Sequence, residues 1–503
     1  MKSPPWSTDR STAISRPRTS VSEQAARAAS EGDFNEAIGL LTGFLNENPD
    51  DKLALFTLAQ THTQIEGFSV AEALYRRIVA LDPRFHPAWN NLGMVLESTC
   101  RYGEARDAFQ RAVKLDPRNA GYIGNVAMTY SDEERYPEAR KWAKKALAID
   151  PQHAGALGTI GFIDLMHGDW ERGWRGFDLA LGGKFRKRID YGLPEWNGEP
   201  GAKVIVYGEQ GLGDEIMYAS CLPDLAAVVG WDNIVLDVDA RLQNLFRRSF
   251  PCEAYGTRRD EKHWLSPKWT HAMAIGSLPR FFRPSPQSCP GTPYLKPSPE
   301  LVAMYRALLA QASGGRTTIG ITWSGGNRST GKKERAIGVE GWRPIIEANP
   351  QVCWVSLEYS EGAGDEIAES GLPVVHHRFA VGKGADYDHT TAYIAALDHV
   401  VGIHTTAIHS AGALGMDPLT LVTRRPLWLY GRGIGDRFPW YGSRLFRQEG
   451  TWEETFRRLA TDDQLMGWLR PEGSGGVPRI QSVGDRAVKQ AFGHQAAAPA
   501  AAA

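Results

Sequence analysis

Apolar residues follow two different patterns along the chain. From residue 22 to residue 182, small apolar residues return at fixed steps, as they do where helices pack in pairs. From residue 202 onward, short apolar runs of strand length alternate with stretches that are compatible with helices. Residues 183–201 separate the two patterns and have the Gly, Pro and charge content of a linker. The pattern therefore predicts an α-helical part followed by an α/β part.

The helical part contains a sequence repeat. Four prolines stand 34 residues apart, which is the period of tetratricopeptide (TPR) repeats: Pro49, Pro83, Pro117 and Pro151. Small residues keep the same step in the first helix (Ala59, Gly93, Ala127, Gly161) and in the second (Ala37, Ala71, Ala105, Ala139, Gly173). We predict that residues 22–182 form an α-solenoid of four clear repeats and a degenerate fifth, with a concave face that holds a peptide or protein.

Two asparagines occupy equivalent positions of successive repeats. Asn91 and Asn125 lie two residues before the small residue of the first helix. This position resembles the asparagine ladder of O-GlcNAc transferase, whose amides bind the backbone of an acceptor polypeptide. Thr57 and Thr159 fill the flanking positions, so the ladder would be short. Two solvated asparagines on a polar face are an equally good interpretation.

The second part is predicted to form parallel sheets that are covered on both faces. Its apolar runs cover residues 204–207, 234–238, 272–275, 318–323, 352–357, 374–375, 400–403 and 419–422. A Pro-rich break at 283–299, followed by a helical stretch, divides this part into halves at 202–316 and 317–471. We therefore predict two Rossmann-like, doubly wound domains.

A glycine loop follows the first of these runs. Gly208, Gly211 and Gly213 precede a stretch, starting at Asp214, that is compatible with a helix. A P-loop would need Lys and Ser or Thr after the last glycine, and a dinucleotide fingerprint would need a glycine at Ile216. Acidic residues at a helix N-terminus are stabilised by the dipole but repel phosphate. The loop is therefore expected to hold a carboxylate.

The stretch GEQGLGDEIMYASCLPDL resembles the first strand, loop and helix of bacterial heptosyltransferase-like glycosyltransferases, in particular the branch fused to TPR repeats. This resemblance implies the GT-B fold, in which two Rossmann-like halves face a cleft. The acceptor would lie at the first half and a nucleotide-sugar at the second. The resemblance also implies that Asp214 is the general base that deprotonates the acceptor hydroxyl, although a simple N-cap is the alternative.

The second half contains two candidate donor-binding segments. The loop after its first strand carries Asn327, Arg328, Lys332, Lys333 and Arg335, which could neutralise a departing diphosphate or form a solvated basic loop. The stretch YIAALDHVVGIHTTAIHSAGALG resembles the donor-binding turn of the same family, which implies that Thr405, Thr406 and His409 contact the diphosphate. Relatives usually carry aspartate at His404 and leucine at Ser410, which could alter donor choice or weaken the site. The closing segment adds Arg437, Trp440 and Tyr441 as cleft candidates, with packing as the better explanation for the aromatic residues.

Composition and charge bear on the partners and the location to be expected. A formal net charge of -1 gives no bulk electrostatic reason to expect nucleic acid or an anionic membrane as partner. The first residues have no apolar signal region, no later run is long enough for a membrane span, and five separated cysteines fit a reduced, cytoplasmic protein. Residues 1–21 and 472–503 are expected to be disordered.

No metal or cofactor is predicted besides the nucleotide-sugar substrate. Asp237 and Asp239 spell a DxD pattern, but Asp239 stands where it would cap a helix. The histidines at 399, 404 and 409 are five residues apart and would not share a helix face. The resulting prediction is inverting, metal-independent sugar transfer from a nucleotide-activated donor to a hydroxyl, on a protein such as flagellin or another surface polypeptide held by the TPR array. The alternative is a non-catalytic TPR interaction scaffold with a degenerate GT-B domain. The two differ in whether Asp214 and the helix after Thr405 face one cleft.

Overall fold

The computed structural model of the 503-residue chain describes residues 20–182, 186–257, 262–326, 335–382, 386–424 and 426–469. Contacts divide the chain into two compact units, Met1–Ile149 and Asp150–Ala503. The first unit is helical, and the second combines a helical hairpin with two sheets. Within the described ranges, no helix is long and apolar enough to cross a membrane.

The first unit is built from helix pairs, and each pair corresponds to one 34-residue sequence repeat. Its helices are α1 Val21–Glu31, α2 Phe34–Glu47, α3 Lys52–Gln64, α4 Phe68–Leu81, α5 His86–Ser98, α6 Tyr102–Leu115, α7 Ala120–Asp132 and α8 Tyr136–Ile149. Each proline of the repeat stands two residues after the last residue of a second helix, because proline cannot continue it. The predicted small residues pack where helices cross: a Cβ on Gly93 would lie 2.7 Å from the ring of Phe109.

The turn inside each helix pair uses a left-handed residue at one repeat position. This position is Gly32, Glu66, Cys100 and Glu134, with φ of 90°, 62°, 63° and 59°. The next N–H reaches back over the end of the helix, as from Arg101 to the Leu96 carbonyl at 2.9 Å. Three of the four are not glycine and therefore hold a strained backbone conformation.

The second unit begins with a hairpin of two helices, α9 Ala154–Met166 and α10 Trp170–Leu179. Its turn residue, Gly168, continues the same 34-residue step with φ of 84°. The helices touch through glycines, since a Cβ on Gly176 would lie 2.7 Å from the Cα of Gly161. This hairpin is the segment predicted as a degenerate fifth repeat, and it belongs to the compact unit that contains the sheets.

The first sheet of this unit is fully parallel. Its strands are β1 Val204–Tyr207, β2 Ile234–Asp237, β3 Glu253–Tyr255 and β4 His271–Ala274, in the order β3-β2-β1-β4. Helices α11 Leu212–Tyr218, α12 Leu222–Val229, α13 Gln243–Ser249 and α14 Pro279–Phe282 connect or follow these strands. All four residues of β1 are buried, as a strand covered on both faces requires.

The second sheet has the order β10-β11-β9-β8-β5-β6-β7. Its strands are β5 Thr317–Thr322, β6 Val352–Ser356, β7 Val374–Val375, β8 His399–Ile403, β9 Leu419–Val422, β10 Arg437–Phe438 and β11 Ser443–Arg447. All neighbours are parallel except β10 and β11. The helices are α15 Pro299–Ser313, α16 Arg343–Ala348, α17 Ala363–Ser370, α18 Arg378–Val381, α19 Tyr387–Ala395, α20 Thr406–Ala413, α21 Trp452–Leu459 and α22 Asp463–Leu469. The α/β class with parallel sheets is therefore confirmed.

Candidate active site at the glycine loop

Asp214 lies in the first turn of α11 and is held by the loop before it. The helix begins at Leu212, two residues earlier than the sequence suggested, and Gly211 is its N-cap. The Asp214 Oδ2 atom accepts the backbone N–H of Gly211 at 3.2 Å. Asp214 is therefore the third helical residue and not the N-cap. Its Oδ1 atom accepts no hydrogen bond from any residue that the structure describes, so it is available to a substrate hydroxyl.

The environment of Asp214 favours its protonated form. Burial raises the pKa of this carboxyl to about 6, and the nearby Glu209 acts in the same direction. The Gly211 N–H, Arg335 and Arg186 oppose this shift. A carboxylate that titrates near neutral pH can both take and release a proton under physiological conditions, which is the property of a general base.

The three loop glycines make room for side chains. A Cβ on Gly208 would lie 2.3 Å from the carboxyl carbon of Glu215, and one on Gly211 would lie 3.3 Å from Asp214 Oδ2. None of the three has a positive φ, so their small size is what matters. The buried Glu215 carboxylate over Gly208 accepts the Asp239 N–H at 3.0 Å. The loop thus holds carboxylates, as its sequence predicts.

A second helix N-terminus approaches this loop. Strand β8 ends at Ile403, Thr405 is the N-cap, and α20 starts at Thr406. The Thr405 hydroxyl does not cap the helix, and its Oγ1 atom is buried without a hydrogen-bond partner in the described part of the chain. Such a buried orphan hydroxyl beside the open N–H groups of a helix N-terminus is suited to an anionic ligand.

The glycine loop and α20 are in direct contact. A Cβ on Gly213 would lie 3.2 Å from Cδ2 of His409 and 3.3 Å from Oγ1 of Thr406. Asp214 follows Gly213 directly, so it stands next in sequence to the residue that packs on the first turn of α20. The structure therefore brings together the four predicted residues Asp214, Thr405, Thr406 and His409.

The His409 ring is enclosed by tyrosines. Its Nε2 lies 3.1 Å from the Tyr430 hydroxyl and its Nδ1 lies 3.4 Å from the Tyr441 hydroxyl. Burial lowers the pKa of His409 to about 4, so the imidazole is neutral at physiological pH. Both ring nitrogens of His409 therefore have hydrogen-bond partners within the protein.

The direction of these hydrogen bonds can be deduced. Tyr294 donates its only hydroxyl proton to the Ile216 carbonyl at 2.8 Å, so Tyr441, 3.3 Å away, must donate to Tyr294. Tyr441 then accepts from Nδ1–H of His409, and Nε2 accepts from Tyr430. This chain links α20 to the backbone of α11, which carries Asp214.

His404 contributes no charge to the site. It is buried, its Nδ1 lies 3.3 Å from the Leu421 carbonyl, and its ring centroid is 4.7 Å from that of Tyr430. Burial, with help from the nearby Arg335, holds the pKa of His404 well below its usual value. A neutral imidazole therefore occupies the position where the resembled family has a carboxylate.

The predicted cationic loop lies mostly outside the described residues. This applies to Asn327, Arg328, Lys332 and Lys333. Arg335, at the end of the same loop, is described: it is buried, and its Nη1 donates to the His404 carbonyl at 3.4 Å. Its charge acts on Asp214 and on Tyr430. One buried cation therefore acts on Asp214 and bonds the carbonyl of the residue before the N-cap of α20.

The closing-segment candidates divide into packing and surface residues. Trp440 is fully buried and its ring lies 5.0 Å from that of Trp170 in α10. Arg437 is exposed and donates to the Gly442 carbonyl at 2.6 Å. Only Tyr441, through His409, belongs to the site.

The DxD pattern is explained by local structure. Asp239 accepts the Arg241 N–H at 3.1 Å and caps a short 3-10 turn, as predicted. The buried Asp237 accepts from the Tyr191 hydroxyl at 2.6 Å and from Thr257. The two carboxylates thus have separate partners.

Three asparagines of the first unit form one hydrogen-bond network. Asn125 Nδ2 donates to Asn90 Oδ1 at 2.8 Å, and Asn90 Nδ2 donates to Asn91 Oδ1 at 3.1 Å. Asn91 in turn donates to the Tyr75 hydroxyl at 3.3 Å. Asn90, which the sequence interpretation missed, joins the two predicted residues. Thr57 bonds only its own helix, at the Leu53 carbonyl, and adds nothing to the ladder.

Comparisons with known proteins agree with the helix pairs of the first unit, which are typical of TPR proteins. Family models of the tetratricopeptide repeat match residues 28–93, 86–119 and 120–149. The first unit is therefore a TPR array, and it precedes an α/β unit with parallel sheets.

One curated relative extends the similarity beyond the repeats. Protein FlbA of Caulobacter vibrioides is 30% identical over 315 residues, which cover 58% of this chain and 51% of that protein. The match is longer than the 149-residue first unit and therefore includes part of the second. The chain spans about half the length of this relative.

Similar solved structures cover only part of the chain. A crystal structure of MamA is 24% identical and covers 31% of this chain and 91% of its own, with a TM-score of 0.29. The TPR protein TTC0263 of Thermus thermophilus is 20% identical and covers 32% and 88%, also with a TM-score of 0.29.

Proposed function

We propose that the second unit is a glycosyltransferase of the GT-B type, which transfers a sugar from a nucleotide-activated donor to an acceptor hydroxyl. The observation that supports this most strongly is the contact between the glycine loop and α20. It places Asp214, whose carboxyl has a raised pKa, next in sequence to a residue that packs on the first turn of α20, and the hydroxyl of the α20 N-cap Thr405 has no hydrogen-bond partner among the described residues. A base beside an anion site is what such a transfer requires.

The residues have complementary roles in this reaction. Oδ1 of Asp214 takes the proton of the acceptor hydroxyl while the hydroxyl oxygen forms a bond to the anomeric carbon. The bond from that carbon to the diphosphate breaks, and its electron pair stays on the diphosphate oxygen. Arg335 and the N–H groups of α20 stabilise this charge. A single displacement of this kind inverts the anomeric configuration and uses no metal.

The TPR array supplies the acceptor. A protein acceptor, such as flagellin or another surface polypeptide, suits a helical solenoid whose asparagine amides can bind an extended backbone. Asn90, Asn91 and Asn125 already share hydrogen bonds, and their remaining donor and acceptor positions suit a peptide backbone. The rival function, a non-catalytic interaction scaffold, uses the same array without chemistry in the second unit.

Nucleotide binding separates these two functions. Calorimetric titration of the full chain with UDP, GDP, ADP and dTDP and their glucose esters should show saturable binding to one base. Thr405→Val replaces the orphan hydroxyl with a methyl group of equal size. It should weaken binding about tenfold or more, because a hydrogen bond to a charged group is worth about 1.5–3 kcal/mol.

Thr420→Val is the matched control. Thr420 is fully buried, and its hydroxyl likewise has no hydrogen-bond partner among the described residues, but it lies inside β9 and not at a helix N-terminus. Its substitution should leave nucleotide affinity unchanged. Absence of binding to every nucleotide by a folded protein would favour the scaffold.

A further inference from the structure

A buried arginine joins the helical hairpin to the glycine loop. Arg186 is 2% exposed, although it lies in the segment predicted as a linker. Its Nε and Nη2 atoms lie 3.1 and 2.9 Å from Oε1 of Glu209, the second residue of the loop. Its Nη1 donates to the Phe177 carbonyl of α10 at 2.8 Å. One guanidinium therefore bonds both elements.

Glu209 is held on several sides. Its side chain has no exposed surface, and Oε1 also accepts from Gln210 Nε2 at 3.1 Å. Oε2 accepts the Gly276 N–H at 3.4 Å. A Cβ on Gly276 would lie 2.4 Å from Oε1, so only glycine fits there. Within this enclosure, Arg186 is the cation that pairs with the Glu209 carboxylate.

The guanidinium is itself fixed by its surroundings. Nη2 donates to Ser277 Oγ at 2.9 Å, and Nη1 lies 3.6 Å from Asp178 of α10. The ring of Phe177 packs against it, with 4.4 Å between Cζ and the ring centroid. Asp178 also pairs with Arg280. Arg186 therefore has one defined position between α10 and the loop.

We propose that Arg186 is a positioning residue that fixes the glycine loop, and with it Asp214, to the hairpin α9–α10. The inference deepens the proposed function and rests on it. Glu209 stands two residues before Gly211, whose N–H binds Asp214. A loop that shifts at Glu209 therefore moves the partner of the candidate base.

Charge gives this proposal a measurable consequence. Glu209 raises the pKa of Asp214 and Arg186 lowers it, so the two charges oppose each other. The titratable and charged groups that face Asp214 are Arg186, Glu209, Tyr218, Arg335, Tyr430 and Tyr441, with His409 across Gly213. Removing one member of the pair leaves the other uncompensated, and the two removals act in opposite directions.

The test is a carboxyl titration that needs no substrate. The full chain is labelled with 13C at the aspartate side-chain carboxyls, and the Asp214 signal is assigned by its loss in Asp214→Asn. Arg186→Met should raise the pKa of Asp214 by about one unit, because a like charge is left nearby. Glu209→Gln should lower it. The double variant should give a value between those of the two single variants.

Arg280→Met is the matched control, because Arg280 pairs with the same Asp178 from its other side. It should leave the titration of Asp214 unchanged. A merely structural Arg186 would lower thermal stability in Arg186→Met without moving the titration, and that result overturns the proposal. If Arg186→Met does not fold, Glu209→Gln provides the test. An unchanged or raised pKa of Asp214 in Glu209→Gln would also overturn the proposal.

The proposed transferase function and the proposed role of Arg186 can be refuted independently of each other. Opposite shifts in the two single variants, together with no nucleotide binding, would retain Arg186 as the residue that fixes the loop and reject the transferase. Nucleotide binding with no shifts would retain the transferase and reject the role of Arg186.

Discussion

Asp214→Asn should make the second unit more stable above pH 6, which is unusual for a polar substitution. Burial raises the pKa of Asp214 from 3.8 to about 6, so the folded state binds its proton more tightly than the unfolded chain does. Stability is therefore lost as the pH rises from 3.8 to 6. Asparagine keeps the oxygen that accepts the Gly211 N–H but carries no charge that must be ionised.

The size of the effect follows from the shift. Each pKa unit corresponds to about 1.4 kcal/mol, so the full shift would cost about 3 kcal/mol above pH 6. Asp214 is partly exposed, and solvent screening reduces the expected gain in Asp214→Asn to about 1–2 kcal/mol. The gain should be complete at pH 7.5, shrink below pH 6 and vanish below pH 3.8.

Scanning calorimetry of the full chain at pH 7.5 and pH 5 measures this difference, as a rise of about 1–3 °C in the unfolding temperature of the second unit at the higher pH. Asp365→Asn is the matched control. Asp365 is also the third residue of a helix with a glycine N-cap, but it is exposed. This substitution should destabilise slightly, by about 0.3–1 kcal/mol, because it removes a charge that favours the helix dipole. If Asp214→Asn destabilised as well, the raised pKa and the argument for a base would both be refuted.

Two further predictions concern the turns inside the helix pairs of the TPR array and the start of the second unit. Cys100→Gly should stabilise the TPR array by about 0.5–1 kcal/mol, because glycine adopts a φ of 63° without strain, and denaturant unfolding of the full chain would show it; a loss of stability would contradict this. A fragment starting at Asp150 should give dispersed NMR spectra, whereas one starting at Ala202 should aggregate, because it lacks Trp174, whose ring packs 5.1 Å from that of Trp428. A folded fragment from Ala202 would show that the hairpin is dispensable.

Much of the fold could be predicted because it depends on short-range signals. The 34-residue step repeats along the sequence, and buried runs such as β1 consist of apolar residues throughout. Strand β3 was missed because it is a three-residue edge strand with one buried position. The start of α11 was placed two residues late because Gly211 caps it without a side chain. The left-handed turn was missed because Glu66, Cys100 and Glu134 give no glycine signal.

The site was less predictable because its contacts join distant segments. Asp214 and the turn after Ile403 could be found as ends of strands, since polar residues collect there. Tyr430 could not, because nothing in the sequence shows that its hydroxyl lies 3.1 Å from His409. Arg186 stands in a charged, Gly- and Pro-containing stretch that is typical of solvated linkers. Glu209, a glutamate inside a glycine loop, was the one signal in the sequence for such a residue, because a buried carboxylate requires a cation nearby.

A buried Arg–Glu pair is weak evidence for stability. The cost of removing both charges from water about equals the attraction between them, so an apolar pair of similar size would stabilise the fold as well. Arg186 and Glu209 are nevertheless held by six further polar groups or rings. What an apolar pair would not supply is two opposing charges near Asp214, whose pKa of about 6 lies where a change in either charge alters its protonation at neutral pH. The place of the pair, beside the carboxylate that the proposed transfer uses as its base, therefore favours an electrostatic role for Arg186 in addition to its structural one.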